Sequence, residues 1–241
     1  MELFFAAREN IEPHAVTFDR FESQHILKSL RKKTGQSIIV TDGEGRKIYG
    51  SIIQTKPIVV AEIDSVETMP RPKPAVALAV GFIRPNRLEL LLEKGTEIGI
   101  QAFYLLGTEY ANYISKNEHR FTKVIRQAIK QSVQFFLPKI AIFDNFNKFL
   151  VQVQNYRHKI VATSANDPAL HDRLSVLNDS LREDVCLLIG PEGGLSSDEI
   201  GLAQANGFIS VSLSENRLRT ETAAISAAAI TQLFLHHKKE S

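Results

Sequence analysis

The chain has one cysteine in 241 residues and no tryptophan. A single thiol excludes an intrachain disulfide and fits a reducing compartment. Cys186 stands inside the apolar run Val185–Ile189, where a small buried hydrophobe is expected in place of a reactive thiol. No uninterrupted apolar run approaches the ~20 residues of a membrane span. The opening residues, MELFFAAREN, carry no basic stretch ahead of their apolar ones, which speaks against a secretory signal. A cytoplasmic protein with no membrane partner is therefore expected. An excess of one charge is missing too: 29 Lys and Arg against 27 Asp and Glu leave a net +2. That surface permits an RNA partner without requiring one, because local clusters set phosphate affinity. His14, His119, His158, His171 and the pair His236-His237 lack ligand spacing, so no metal site is expected. Internal repeats and low-complexity segments are absent as well.

What is present suits one large domain or two modest ones, with 44% hydrophobic residues to bury. The first 68 or so residues read as β-rich, with short alternations at Leu3–Ala6, Ser37–Thr41, Ile48–Ile53 and Ile58–Ile63. Asp42-Gly43-Glu44-Gly45 is a hairpin signal between the second and third. One helix is expected over Glu22–Lys33, and the set suggests a small barrel. Met69-Pro70-Arg71-Pro72-Lys73-Pro74 then makes a stiff extended connector. Domains are expected over 1–69 and 75–241.

From Ala75 strands and helices alternate. Strands are expected at Ala75–Gly81, Ala102–Gly107, Lys139–Phe143, Lys159–Thr163, Val185–Ile189 and Phe208–Leu213. Helices are expected at Asn86–Ile98, Glu118–Phe135, Lys148–Tyr156, Ser197–Asn206 and Thr222–His237. That rhythm implies an α/β fold with a mainly parallel sheet covered on both faces, and ligands outside the carboxyl ends of its strands.

The stretch LLIGPEGGLSSDEI (Leu187–Ile200) ends an apolar strand at a glycine–proline turn, places Glu192 in the loop and opens a helix. Ser196 and Glu199 have capping-box spacing, so the helix starts at Ser197 with its free N–H groups facing the loop. Phosphate is the default ligand of such a loop. Here no lysine follows the glycines, the phosphate-loop and Rossmann spacings are missing, and Glu192 would repel a pyrophosphate. A neutral or cationic ligand, such as adenosine carrying a sulfonium, fits better. On spacing alone an ordinary strand-to-helix turn stays open. A second polar loop, LSENRLRTETAA (Leu213–Ala224), again leads from an apolar strand into a helix, with Thr220 or Thr222 as its cap. If the two strands are neighbours, the loops together offer Glu192, Arg217, Arg219, Thr220 and Glu221. A cation at Arg219, where a helix start disfavours it, points to an anionic partner.

These two loops, at this separation, resemble the signature loops of the RsmE family, bacterial methyltransferases of the SPOUT superfamily acting on N3 of a uridine in 16S ribosomal RNA. QHILKSLRKKTGQ (Gln24–Gln36) and EKGTEIGI (Glu93–Ile100) resemble further family segments, so the resemblance spans nearly the whole chain. It implies a PUA-like β-barrel that binds RNA, followed by a SPOUT domain threaded into a deep trefoil knot. It also implies a homodimer, S-adenosylmethionine held in the knot, and 16S rRNA or the assembled small subunit as substrate. The cofactor loops carried over are Ala162–Ser164, Ile189–Gly194 and Leu213–Thr220. Within them Ala162, Thr163, Ile189, Gly190, Glu192, Gly193, Gly194, Leu213, Leu218, Arg219 and Thr220 are the expected contacts. One departure stands out: where members carry Gln-Ser-Gly-Arg, this chain has Gln131-Ser132-Val133-Gln134.

Methyl transfer is an in-line displacement governed by alignment. Uridine N3 must lose its proton, and Glu221 or Glu192 is a candidate general base. A cation beside the uracil oxygens would instead favour the N3 anion, and Arg219 is the candidate. For RNA, Lys28, Arg31, Lys32 and Lys33 form one basic cluster. Lys116, Arg120, Lys123, Arg126 and Lys130 form a stripe at helical spacing, read first as a solvated helix face and second as an RNA contact. Phe135-Phe136 is read as core before stacking platform. Other readings are a different SPOUT methyltransferase, or an assembly factor that has lost catalysis.

Overall fold

The computed structural model describes residues 2–115, 117–163, 167–176 and 183–237. Two compact units divide the chain: Met1–Arg71 with Arg126–Leu137, and Pro72–Ile125 with Pro138–Ser241. The proline-rich connector thus holds the first crossing, but the return of Arg126–Leu137 to the N-terminal unit has no counterpart in the expected boundaries.

The N-terminal unit contains β1 (Leu3–Phe5), β2 (Ala15–Thr17), α1 (Arg20–Gln24), β3 (Ser37–Thr41), β4 (Arg46–Gln54) and β5 (Val60–Thr68). They form one sheet in the order β1-β3-β4-β5-β2, parallel at β1–β3 and antiparallel elsewhere. Strands β4 and β5 outrun their apolar alternation because main-chain pairing continues where β5 has mostly polar, exposed side chains. β2 is three residues long, too short for any periodicity to reveal. The expected helix over Glu22–Lys33 is shorter and broken. Asp19 caps α1 by accepting the Glu22 N–H at 2.7 Å. A wider π turn then takes His25–Ser29, closed by Leu30 N–H on the His25 carbonyl. Phe4, Phe18, Ile26, Val40 and Ile48 fill the core.

Segment Arg126–Leu137 belongs to this unit through several contacts. Leu137 N–H donates to the Gly43 carbonyl and Gly45 N–H to the Phe135 carbonyl, at 2.7 and 2.8 Å, fastening the segment to the Asp42–Gly45 hairpin. Phe135 and Phe136 are half-buried, with the Arg71 guanidinium 4.6 Å from the Phe136 ring centre. Lys130 Nζ sits 2.7 Å from Glu22 Oε2 with both side chains largely out of water.

Val133, at the glycine position of the resembled family, has φ 53°. Gln134 N–H reaches the Ile129 carbonyl at 2.9 Å, the six-to-one bond of a Schellman motif whose left-handed residue is normally glycine. The backbone therefore keeps the glycine conformation with a β-branched residue in it, at a cost on the order of 1–2 kcal/mol. Val133→Gly relieves that strain against a smaller loss of chain entropy. It is expected to raise stability by about 1 kcal/mol and the melting temperature by roughly 2–4 °C. An unchanged or lower melting temperature would contradict this.

The C-terminal unit alternates as expected. Its elements are β6 (Val76–Gly81), α2 (Pro85–Ile98), β7 (Ala102–Leu106), α3 (Glu118–Gln131, whose residues from Arg126 on count with the N-terminal unit) and β8 (Lys139–Phe143). Then come α4 (Phe146–Gln152), β9 (His158–Ala162), α5 (Leu170–Val176), β10 (Val185–Ile189), α6 (Ser197–Ala205), β11 (Phe208–Val211) and α7 (Thr220–His237). Helix α3 stops at Gln131 where Phe135 was expected, because Val133 turns the chain left-handed. Helix α4 starts earlier than expected, capped by Asn145. Helix α5 was not anticipated.

All pairings in the six-stranded sheet are parallel, in the order β11-β9-β10-β6-β7-β8. Alternate residues point to opposite faces. Ala77, Ala79, Tyr104, Cys186 and Leu188 pack with Phe149 of α4 and Ala203 of α6. Phe103, one residue out of phase, packs on Gly95 of α2, and α7 covers β6 and β10. Cys186 is fully buried, and burial pushes its thiol far above the ordinary range, so it behaves as the expected hydrophobe. No helix among the described residues is long and apolar enough to cross a membrane.

Candidate functional site

Three parallel strands end on one rung. Ile189 pairs with Ala162, and Ala162 with Val211, so β10 and β11 flank β9. The two signature loops are therefore not on adjacent strands. β9 lies between them and holds them about 9–10 Å apart, two strand spacings. A cleft of about 670 Å³ opens over that gap. The loop after β10 forms one wall, the loop after β11 the other, and Ala162 and Thr163 lie between.

The glycine loop is shaped by local bonds. Gly194 N–H donates to the Pro191 carbonyl at 2.8 Å, with Gly194 itself at φ 82°. A Cβ on Gly190 would come within 2.8 Å of the Gly194 carbonyl carbon and the Leu195 nitrogen, so the loop closes over bare main chain there. The capping box is present: Ser196 Oγ accepts Glu199 N–H, and Glu199 Oε2 accepts Ser196 N–H at 2.9 Å. The opposite loop is tied across by Arg217, whose Nη2 donates to the Glu192 carbonyl at 3.2 Å. Helix α7 already includes Thr220 and Thr222, so neither caps it from outside.

Of the expected contacts, Ala162, Thr163, Ile189, Gly190, Glu192, Gly193, Gly194, Leu213, Leu218 and Thr220 all line the cleft. Arg219 does not; its side chain is exposed, next in sequence to two wall residues. Glu221 also lies outside the lining and is 7% exposed. Ser164, Lys116 and the side chains of His236 and His237 lie outside the description. The wall includes Asp167, unmarked by any motif, which accepts from Thr163 Oγ1. Among the described residues the cleft presents Asp167, Glu192 and Glu215 against the single cation Arg217. Its lining thus carries an excess of negative charge, which disfavours anions.

Arg87, in the first turn of α2, is the residue that sequence reasoning missed. Its Nη1 lies 3.4 Å from Glu192 Oε1 and its Nε 3.5 Å from Glu221 Oε1. One guanidinium thus joins the glycine loop to the start of α7. The second Glu221 oxygen is buried with no hydrogen-bond partner among the described residues.

The expected RNA cations divide. Lys28 and Arg31 are exposed, whereas Lys32 Nζ is 3.4 Å from Glu2. Along α3, Arg120 pairs with Glu89 and the Arg126 guanidinium lies 4.5 Å over the Phe5 ring. Lys123 is exposed and carries an interaction of its own. Several members of the stripe therefore hold the structure together.

Known proteins share the sequence pattern and the fold. Residues 70–232 match the model of an RNA methyltransferase domain family. A Synechocystis protein named ribosomal RNA small subunit methyltransferase E is 30% identical over 230 residues, 92% of this chain and 74% of that one. A Rickettsia conorii protein of the same name is 30% identical over 172 residues, 71% of this chain and 69% of that one. Among solved structures, a Legionella pneumophila protein described as a methyltransferase, in complex with bound SAM, superposes with a TM-score of 0.85. It is 26% identical, and the match covers 97% of both chains. A Porphyromonas gingivalis protein described as an rRNA-methyltransferase gives 0.87 at 25% identity, over 99% of this chain and 100% of that one. The chain belongs to the ribosomal RNA small subunit methyltransferase E family.

Proposed function

We propose that the chain transfers a methyl group from S-adenosylmethionine to N3 of a uridine in 16S ribosomal RNA. The observation that carries this reading is the cleft: three strand ends of accessible main chain, with three carboxylates against one guanidinium. Main chain can meet the edges of an adenine and a ribose, and the carboxylates favour a ligand carrying positive charge. S-adenosylmethionine, once bound, supplies an electrophilic methyl on a cationic sulfur.

The chain's own residues then have distinct tasks. Glu192, which lines the cleft and pairs with Arg87, is the candidate base for the N3 proton. Glu221, buried against Arg87, holds the start of α7 and positions the wall beside it. Arg219, exposed beside that wall, meets the uracil oxygens and favours the N3 anion. Arg219→Ala is expected to cut turnover on the order of a hundredfold or more. Donor affinity should stay within about twofold. Equal loss of both, by calorimetry and methyl-transfer assay, would remove this role.

The N-terminal sheet is read as the PUA-like barrel that grips RNA, with Lys28 and Arg31 as exposed contacts. Lys32 and Arg126 contribute only so far as their internal partners allow. Lys123 and Arg120, in the C-terminal unit, form a separate proposed set, with Arg120 limited by its pairing with Glu89. The trefoil-knotted cofactor fold, a homodimer and a cytoplasmic setting complete the reading, supported by family membership. Mass mapping of small-subunit rRNA from cells with and without the gene tests it. One N3-methyluridine should disappear with the gene; an unchanged modification map would overturn the assignment.

A further inference from the structure

The loop after β7 carries Tyr110, 46% exposed, and Tyr113, 40% exposed. They are the only exposed phenylalanine or tyrosine rings among the described residues of the C-terminal unit. Free apolar rings on a mobile loop would be unremarkable, but this loop is fastened to the cofactor loop. Glu199 Oε1 accepts Glu109 N–H at 2.9 Å while its other oxygen serves the α6 capping box. Tyr110 Cβ sits so near Gly193 that a Cβ on that glycine would come within 2.8 Å of it. Ala111 N–H closes a turn on the Thr108 carbonyl at 3.1 Å. The backbone of Tyr110 is therefore fixed against a wall residue of the cleft while nearly half of the residue's surface stays exposed.

We propose that Tyr110 is the stacking platform for the acceptor base, which makes it a specificity residue of the methyl-transfer reading on which this inference rests. A base that presents N3 to a donor in the cleft must leave its own stack, and its bared face needs a replacement surface. A tyrosine offers one at low entropic cost, having only two side-chain torsions to fix. Its neighbour across the contact is Gly193, so the platform and the cofactor wall are in register by construction.

Three variants test the idea, the first two on small ribosomal subunits from cells lacking the gene. Tyr110→Leu keeps the Cβ contact with Gly193 but removes the ring face. It should lower kcat/KM by roughly tenfold to a hundredfold, the range of base–aromatic stacking, with donor affinity unchanged. Tyr110→Phe should stay near the unsubstituted enzyme. A Leu variant within twofold of it, or one that loses donor affinity in step with activity, would reduce Tyr110 to a structural support and overturn the proposal. Because the chain has no tryptophan, Tyr110→Trp is its own reporter. Largely solvent-exposed emission is expected from the RNA-free protein, whereas buried, blue-shifted emission would show the ring already covered without RNA and overturn the proposal. If the unsubstituted protein binds no donor, the methyl-transfer reading itself fails, an outcome distinct from active enzyme indifferent to Tyr110→Leu.

Discussion

Gly190→Ala is expected to lower affinity for S-adenosylmethionine on the order of a hundredfold while leaving the fold in place. The reason is steric and local. The new methyl would have to share space with the Gly194 carbonyl carbon and the Leu195 nitrogen, both at 2.8 Å from it. These are backbone atoms and cannot rotate away, so the glycine loop must open. Nothing else compels a change, since Gly190 follows β10 and its backbone does not need a left-handed conformation. On the proposed reading the loop's main chain meets the donor, and displacing it by an ångström would remove the aligned contacts. Calorimetry with the donor, beside a thermal melt, separates the two effects. Retained affinity, or a melt collapsing in parallel with binding, would contradict the steric argument.

Glu22→Gln is expected to destabilise the N-terminal unit by about 1.5–3 kcal/mol, the usual cost of losing a hydrogen bond between charged groups largely out of water. Glu22 Oε1 accepts Phe5 N–H at 3.1 Å and Oε2 takes Lys130 at 2.7 Å. Glutamine can keep the first bond, so the loss isolates the second: an ammonium only 13% exposed with its counter-charge gone. Adding Lys130→Met removes the stranded charge and should restore most of the stability. Urea unfolding of the two single variants and the double variant gives the coupling directly. A double variant as unstable as the single ones would show that packing around Glu22 matters more than charge.

Lys130 also shows why the α3 stripe was hard to read. Lysines and arginines at three- and four-residue steps look the same in sequence whether they face solvent, RNA or an acid from another element. Here Lys130 finds Glu22 and Arg120 finds Glu89, partners 108 and 31 residues away in sequence. By contrast, the Ser196–Glu199 capping box and the parallel strands were legible because each depends on residues a few positions apart. The cleft was legible for the same reason, as one glycine loop and one polar loop after apolar strands. Strand order was not: that β9 separates those loops follows from long-range pairing, which periodicity does not carry. Arg87 gave no local signal either. It is an arginine in a helical first turn, and only folding brings it to Glu192 and Glu221. Val133 was legible as a departure from the family pattern, but only its backbone angle reveals that the turn persisted without its glycine.

The measurement that bears most directly on the whole account is a pair of calorimetric titrations of the purified protein, one with S-adenosylmethionine and one with ATP. A cleft walled by main chain and three carboxylates should take up the cationic methyl donor saturably and leave the triphosphate in solution. Tight binding of ATP with no heat from the methyl donor would contradict it.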